Sequence, residues 1–390
     1  MQRKPTLANS IYVSFVSKLE DPRAGNRWHP IETVLFSLLV GILCGGNGFV
    51  QAAGYAQKKR KFIGRYVPCP HGIPTHDTMG RLMAVLDPDA FAEAFAFFMA
   101  RMTGQRADDI INIDGKTLRG ALSAIGRANK KGAKINDQVH IVSAFSNVRR
   151  CVLAQLRSKA VANEVAAAQD LLRMLDIHGS VVTLDAAHNS MKTLQMIAER
   201  GAHVVLGVKA NNAKLHKAIK AAFPKNAAAA IDDTEHAHGR IEHRQYTIVA
   251  ATGDYVRERW PTLKSFVRTT RHVTRKTGAI GKPAVTYYAT SLPLDQAPKI
   301  AVAVRQRWGI ENKLHFVLDV TFDEDAGTRR VQNAAENFSR CVHVALNVLR
   351  AETTERVSLE LKRGFALADD AYLETLIGAP LAPNVERRSG

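Results

Sequence analysis

Three acidic residues sit where the sequence gives a carboxylate something to do. Asp114 ends the apolar run of IINIDGKT, Asp185 ends that of VVTLDA, and Glu311 lies in VRQRWGIENKLHFVLDV (304–320). An aspartate is a poor choice inside a buried strand unless it is paired or binds a metal ion. Two strands of one chain ending alike is a better signal than either alone, although each acid singly could equally cap a following turn or helix. Around Glu311, Arg307 stands four residues before and His315 four after. On a regular helix these three share a face. Trp308, Ile310, Leu314, Phe316 and Leu318 make the same segment apolar. The expectation is a largely buried helix, on which a charged line serves a site more often than it forms a solvated stripe.

The chemistry that fits such a set is in-line displacement at a phosphodiester, which uses two metal ions about 3.5–4 Å apart. Mg²⁺ takes oxygen ligands and keeps several waters, so a few carboxylates on rigid elements suffice. The required design is one acid on a central strand, one at the end of its neighbour, and one on a helix that crosses them.

The elements that must position these acids can be read from the chain. Residues 1–105 read as a helical domain: an apolar helix over Val34–Cys44 ended by Gly45, Gly46 and Gly48, then IPTHDTMGRLMAVL (73–86) and DPDAFAEAFAFFMARM (87–102), with Asp87 or Asp89 as cap and Pro88 near the first turn. From 106 to 212 the pattern is an antiparallel meander (108–117, 138–147, 149–158) followed by alternating helix (162–177, 190–200) and apolar strand (180–186, 202–209). That order predicts an α/β fold, a mixed sheet flanked by helices. Residues 213–293 break the alternation with a basic helix (214–222), an alanine run at 227–230 read as a loop, and strands at 240–250, 265–274 and 284–292. They read as a β-rich insertion. Residues 294–365 return to helix and carry Glu311, and 366–390 read as a tail.

Composition narrows the partner. The chain has 390 residues and is 46% hydrophobic, enough to bury a full core. Its 54 Lys and Arg against 36 Asp and Glu give a net charge of +18, spread along the sequence, which favours a polyanion such as nucleic acid. Cys44, Cys69, Cys151 and Cys341 form no CxxC pair, which argues against zinc and suits the reducing cytoplasm. The first residues have no secretory-signal pattern, and the 34–44 run is too short to span a bilayer, so no membrane association is expected.

DGKTLRGA (114–121), TLDAAHNS (183–190), LGVKANNAKL (206–215), HGRIEHR (238–244) and RWGIENKLHFVLDVTFDED (307–325) occur in this order, with DPR (21–23), IPTHDTMGR (73–81) and ENFSRCVHVALNVLR (336–350). Together they resemble the ISAs-type, or H-repeat-associated, insertion-sequence transposases of the DDE superfamily, over nearly the whole chain. The resemblance implies a ribonuclease-H-like catalytic core behind an N-terminal helical domain. It implies an Asp114, Asp185 and Glu311 triad with two Mg²⁺ ions, Mn²⁺ substituting. It implies double-stranded DNA as partner, both element ends and target, and a homodimer in the DNA complex. Arg307 matches the arginine four residues before the glutamate in the wider signature. The chain departs from the family pattern at Ala187, Ser190, Asn212 and Arg307, the last of which stands where the family usually has histidine and the wider signature arginine, and it has Val304 and Leu318 where the wider signature has tyrosine and lysine. These changes touch backbone-binding detail rather than the acids. They leave a catalytically inactive or domesticated DNA-binding relative as the alternative.

Lys116, Arg119, Lys209, Asn211, Arg240, Arg244 and Arg307 are expected to contact DNA, the cations by gripping phosphates, with Lys214 beside them. Thr75, His76, Thr78 and Arg81 suit the exposed face of a recognition helix; Thr75 or Asp77 as a simple N-cap explains the same residues.

Overall fold

The computed structural model describes residues 16, 18–25, 27–104, 108–122, 138–158, 163–223, 231–237, 239–275, 277–279, 281–326 and 333–378. It is a mixed α/β fold, a large mixed sheet flanked by helices, as the element order predicted. The chain forms two compact units, one of Met1–Gln105, Gly115–Leu175 and Glu311–Gly390, the other of Arg106–Asp114 and Asp176–Ile310. The 227–230 alanine run lies outside the described residues.

The first unit opens with helices α1 (Ile31–Leu43), α2 (Phe49–Lys58), the short α3 (Arg60–Ile63), α4 (His76–Val85) and α5 (Pro88–Thr103). The sequence of α1 is apolar nearly all round, and the helix is buried from Thr33 to Leu43. Asp87 caps α5 by accepting from the amides of Asp89 and Ala90, with Pro88 in the first turn. Thr75 caps α4 by accepting from the Thr78 amide, so the simple capping role is realised. His76, Asp77 and Arg81 remain exposed.

Three strands follow or begin in this unit. The latter part of β1 (Ile110–Leu122) neighbours β2 (Gln138–Ser146), which pairs antiparallel with β3 (Cys151–Ser158). Helix α6 (Glu164–Met174) packs on β2 and β3.

The same unit ends with α11 (Phe316–Phe322), α12 (Ala334–Ala351), α13 (Leu359–Ala368) and α14 (Asp370–Gly378). The interior of α12 is polar where it meets other elements. The Asn337 amide donates to the carbonyls of Met83 and Leu86, at 2.9 and 3.0 Å, which locks α12 to the end of α4. The stretch read as a tail holds the end of α13 and the whole of α14, the latter tied back by Lys59 to Asp370 and by the Tyr66 hydroxyl to Glu374, each at 2.7 Å. Leu373 and Leu376 are the buried residues of α14.

In the second unit the strands run in the order β1-β4-β5-β9-β8-β7-β6, with β4 (Val181–Leu184), β5 (His203–Val208), β6 (Ile231–Ala237), β7 (Arg240–Ala250), β8 (Ser265–Arg275) and β9 (Ala284–Thr290). Strands β4 and β5 are parallel to β1, and each is a short apolar run buried throughout or nearly so, as a central parallel strand must be. From β5 onward the ladder is antiparallel. The β-rich stretch therefore continues the sheet, with β9 seated on the edge of β5. Strand β6 was invisible in sequence because IDDTEHA lacks alternating apolar residues. It lies at the sheet's end, where charge is tolerated.

Helices α7 (Met191–Glu199), α8 (Ala213–Ala222), α9 (Asp254–Arg259) and α10 (Ala297–Gln306) complete the unit. Its core joins Ile110, Val181, Val205, Val267 and Tyr288 of the sheet to Ile300, Ala303 and Val304 of α10. Among the described residues no helix is long and apolar enough to cross a membrane.

Candidate active site

The parallel register of β1 and β4 decides where the two aspartates go. Ile110, Ile111, Asn112 and Ile113 face Val181, Val182, Thr183 and Leu184 in turn, so the next residue on each strand is Asp114 and Asp185. In-register residues of parallel strands point to the same side, and so do residues two apart on one strand. Asn112 and Thr183, two residues before the acids, show which side that is. The Asn112 amide nitrogen is 2.9 Å from the Thr183 hydroxyl. It also donates to the carbonyls of Gln306 and Arg307, at 3.0 and 2.7 Å. The face shared by the acids is thus the face on which the C-terminal end of α10 rests.

Asp185 ends its strand by accepting from the Ala186 amide at 2.6 Å, which starts a short 3-10 turn, Ala186–His188. Its carboxylate is one-third exposed and has two cations nearby, Lys209 at 3.5 Å and Arg307 at 3.9 Å. The Arg307 guanidinium lies over the rings of Tyr288 and Trp308, at 5.7 and 5.3 Å, which fixes its direction. The Asn211 side chain donates to the Ala186 carbonyl at 2.8 Å and so holds the loop that carries Asp185. An open cavity of about 420 Å³ adjoins the acid, lined by Asp185, Lys209, Arg307, His216, Lys220 and Tyr287 among others. Lys209 is 69% exposed, which leaves it available to a phosphate.

Glu311 opens a single π-helical turn, Glu311–His315, and α10 has already ended at Gln306. The expected continuous regular helix over this region is therefore broken by a turn at 307–308 and by the π turn. The physical signal of a special position is the π turn itself, a distortion that concentrates at functional sites. The expected burial is also uneven. Ile310, Leu314 and Leu318 are buried, but Trp308 and Phe316 are 46% and 62% exposed. His315 is held neutral, pushed down to about 4 by burial, with Lys116 adding to the effect.

The motif around Asp114 resolves into separate jobs. A Cβ on Gly115 would lie 2.2 Å from Glu164 and 2.4 Å from His140, so any larger residue would force those side chains to shift. Thr117 bonds the His140 ring at 2.9 Å. Lys116 does not point at solvent. Its ammonium is 2.5 Å from Asp319 and 2.7 Å from Glu324, with Asp325 at 3.5 Å. Arg244 is likewise taken up inside the protein, 12% exposed and paired with Glu242, Glu235 and Asp233. Arg240 pairs with Glu242 but stays half-exposed. Lys116 and Arg244, expected at phosphates, thus serve internal ion pairs, because carboxylates reach them first. The Arg119 side chain lies outside the described residues.

The donors at Asp114 and Asp185 are hard carboxylate oxygens of the kind Mg²⁺ takes. Among the described residues no set of three or more His, Cys, Asp or Glu side chains is gathered for a metal ion. A Mg²⁺ site needs no such cage, since one or two carboxylates plus substrate phosphate and water complete it.

Sequence reasoning missed Asn112, Thr183 and the cavity residues His216, Lys220 and Tyr287. Asn112 was legible in principle, since an amide inside IINI is as anomalous as the acid after it.

Residues 105–348 match the family described as Transposase DDE domain, and residues 13–99 match the one described as DDE_Tnp_1-associated. The chain is 30% identical over 361 residues to "H repeat-associated putative transposase YhhI" of Escherichia coli (strain K12), covering 90% of this chain and 92% of that one. It is 30% identical over 376 residues to "Putative transposase YncI" of Escherichia coli O157:H7, covering 94% of each. A solved structure, the piggyBac transposase synaptic complex with hairpin DNA, aligns with 97% of this chain and 79% of its own, at a TM-score of 0.42 and 10% identity.

Proposed function

The chain belongs to the DDE transposases, matching the Transposase DDE domain over residues 105–348, and we propose that Asp114, Asp185 and Glu311 are the acids of its active site. The observation that supports this reading is the register of β1 on β4, in which Ile113 faces Leu184, so that Asp114 within β1 and Asp185 just past the end of β4 are the next residues on neighbouring strands. Glu311 follows four residues after Arg307, whose guanidinium is already directed at Asp185.

Asp114 would hold two Mg²⁺ ions, Asp185 one of them and Glu311 the other, with Mn²⁺ able to substitute. When bound, they supply positive charge at the attacking and leaving oxygens of the phosphodiester. Arg307, stiffened by its two aromatic neighbours, and the exposed Lys209 hold phosphate oxygens and so orient the scissile bond. Asn211 keeps the Asp185 loop in place while DNA enters. Water attacks the phosphodiester at the element's end, giving a 5′-phosphate and a free 3′-hydroxyl. That hydroxyl then attacks a target phosphodiester; one bond forms as one breaks, and a target 3′-hydroxyl leaves. Both steps have the same in-line geometry, so one set of residues serves both.

The substrate is double-stranded DNA, and two element ends joined in one assembly call for two copies of the chain. The place of action is the cytoplasm, on the nucleoid. Purified protein should nick element-end DNA in Mg²⁺ and join a precut 3′-hydroxyl end to target. Asp114→Asn should lower both rates by more than about 100-fold, beyond the range typical of residues behind the metal ligands. Undiminished nicking by that variant would remove Asp114 from the site.

A further inference from the structure

The cavity beside Asp185 holds about 420 Å³, and the residues that line it all belong to the second unit. Cavities of about 300–1,000 Å³ take ligands of drug size, so there is room for more than one phosphate group. Among the described residues lining it, Asp185 is the one acid, against Lys209, His216, Lys220 and Arg307. Lys209 and Arg307 have Asp185 within reach. Lys220 is exposed and, among the described residues, pairs with no carboxylate. Its ammonium lies instead over the ring of Tyr287, 5.7 Å from the centroid. His216 stands one turn earlier on α8, about 6 Å along the axis, and its ring meets Tyr287 edge-on at 5.5 Å. The buried Leu215 and Ile219 fix how α8 is turned.

The strands place this cluster relative to Asp185. Val208, the last residue of β5, faces Tyr287 of β9, so the cavity crosses the sheet where β5 ends. The order β4-β5-β9 puts the strand of Tyr287 two steps from that of Asp185, about 10 Å. Tyr287 and Tyr288 are consecutive and so point to opposite faces. Each backs a cation: Tyr287 backs Lys220 of α8, and Tyr288 backs Arg307, just past α10.

We propose that this cavity carries the backbone of the DNA strand being cut, with Lys220 as a positioning residue that grips a second phosphate beyond the scissile one. The inference rests on Asp185 belonging to the active site. One strand of duplex DNA offers a phosphate about every 3.4 Å along its axis, so a reach of about 10 Å places the second contact about one to three nucleotides away. Arg307 and Lys209 hold the strand at Asp185, and Lys220 holds it at a separate point. Two points fix the direction in which the strand crosses the acid, which in-line attack requires. A lysine stem is flexible; the Tyr287 ring restrains this one without consuming its charge. Arg244, by contrast, would have to give up Glu242 to meet a phosphate.

The test replaces phosphates one at a time by uncharged methylphosphonates, at each of the first three positions on either side of the scissile bond in element-end DNA. Binding is measured with the full chain at fixed salt and without Mg²⁺. At one of these positions the wild type should lose affinity about 10–100-fold, the order for one charge-assisted hydrogen bond. Lys220→Ala should show that loss on unmodified DNA and no further loss from the same methylphosphonate, with its salt slope lower by about 1. Lys220→Arg should recover most of the affinity and the sensitivity. Tyr287→Leu should weaken the coupling and Tyr287→Phe should keep it. Equal methylphosphonate losses in the wild type and Lys220→Ala at every position would overturn the proposal. So would a coupling of Tyr287→Leu to an abasic nucleotide in place of a methylphosphonate, which would make the cavity a site for a base. Because the coupling is read in binding alone, it is judged apart from the acids: full nicking by Asp185→Asn would undo the reading of Asp185 and leave the Lys220 contact, if seen, in place.

Discussion

The ammonium of Lys116 stands 2.7 Å from the carboxylate of Glu324, whose side chain is 2% exposed. Burial by itself would push Lys116 down. Glu324 and Asp319 more than offset it and hold the lysine above its ordinary value. A buried pair of this kind adds little over an apolar pair, but breaking it strands a charge. Lys116→Met should therefore cost about 3–5 kcal/mol, read as a lower midpoint in urea unfolding. Glu324→Gln should cost less, because Lys116 keeps Asp319.

Binding to DNA should separate the cations that the sequence grouped together. Lys209 is 69% exposed and Arg244 only 12%. Lys209→Ala should reduce the slope of log affinity against log salt by about 1, the signature of one lost phosphate contact. Arg244→Ala should leave that slope unchanged and lower the unfolding midpoint instead, since Glu242 is buried against it. Equal slopes in the two variants would reverse the assignment.

His343 makes the first unit sensitive to mild acid. Burial pushes it down to about 4, although Glu324 works the other way. Its ring bonds Gln155 at 2.7 Å. An unfolded histidine titrates near 6.5, so below that pH the unfolded chain takes up a proton that the folded chain refuses. The neutral form's contribution is whole above about pH 6.5 and is lost as pH falls toward 4. Between pH 6.5 and pH 5 the loss should be about 2 kcal/mol, from 1.36 kcal/mol per unit. Urea unfolding at the two pH values measures it, and His343→Gln should flatten the difference.

Gly115→Ala probes the crowding beside Asp114. The added methyl would overlap Glu164 and His140, and overpacking of that kind costs about 1–3 kcal/mol. Calorimetric melting should show the loss. Adding Glu164→Ala should recover part of it, which a purely conformational effect of the glycine would not allow.

Much of the fold was legible because its signals are local. The apolar runs of β4 and β5 and the caps at Asp87 and Thr75 are each set within a few residues. The same holds for the anomaly of an acid ending an apolar run, which marks Asp114 and Asp185 in the sequence alone. Strand β6 was not legible because IDDTEHA lacks an apolar alternation, although its partner β7 is the next strand in the chain, and helix α14 was not because Lys59 and Tyr66, which hold it, are distant in sequence.

The amino-acid sequence on its own determined the α/β class, the basic character and which carboxylates are out of place. Only the tertiary structure decided which cations remain open to a phosphate. Lysine and arginine look alike along a chain, and whether Lys116 or Arg244 meets DNA or a carboxylate depends on which acids folding brings within about 3 Å. It also decided that the chain around Glu311 breaks into a π turn. And it decided that Asn112, on a strand nearly two hundred residues earlier, donates to the Gln306 and Arg307 carbonyls, a pairing that no local propensity encodes.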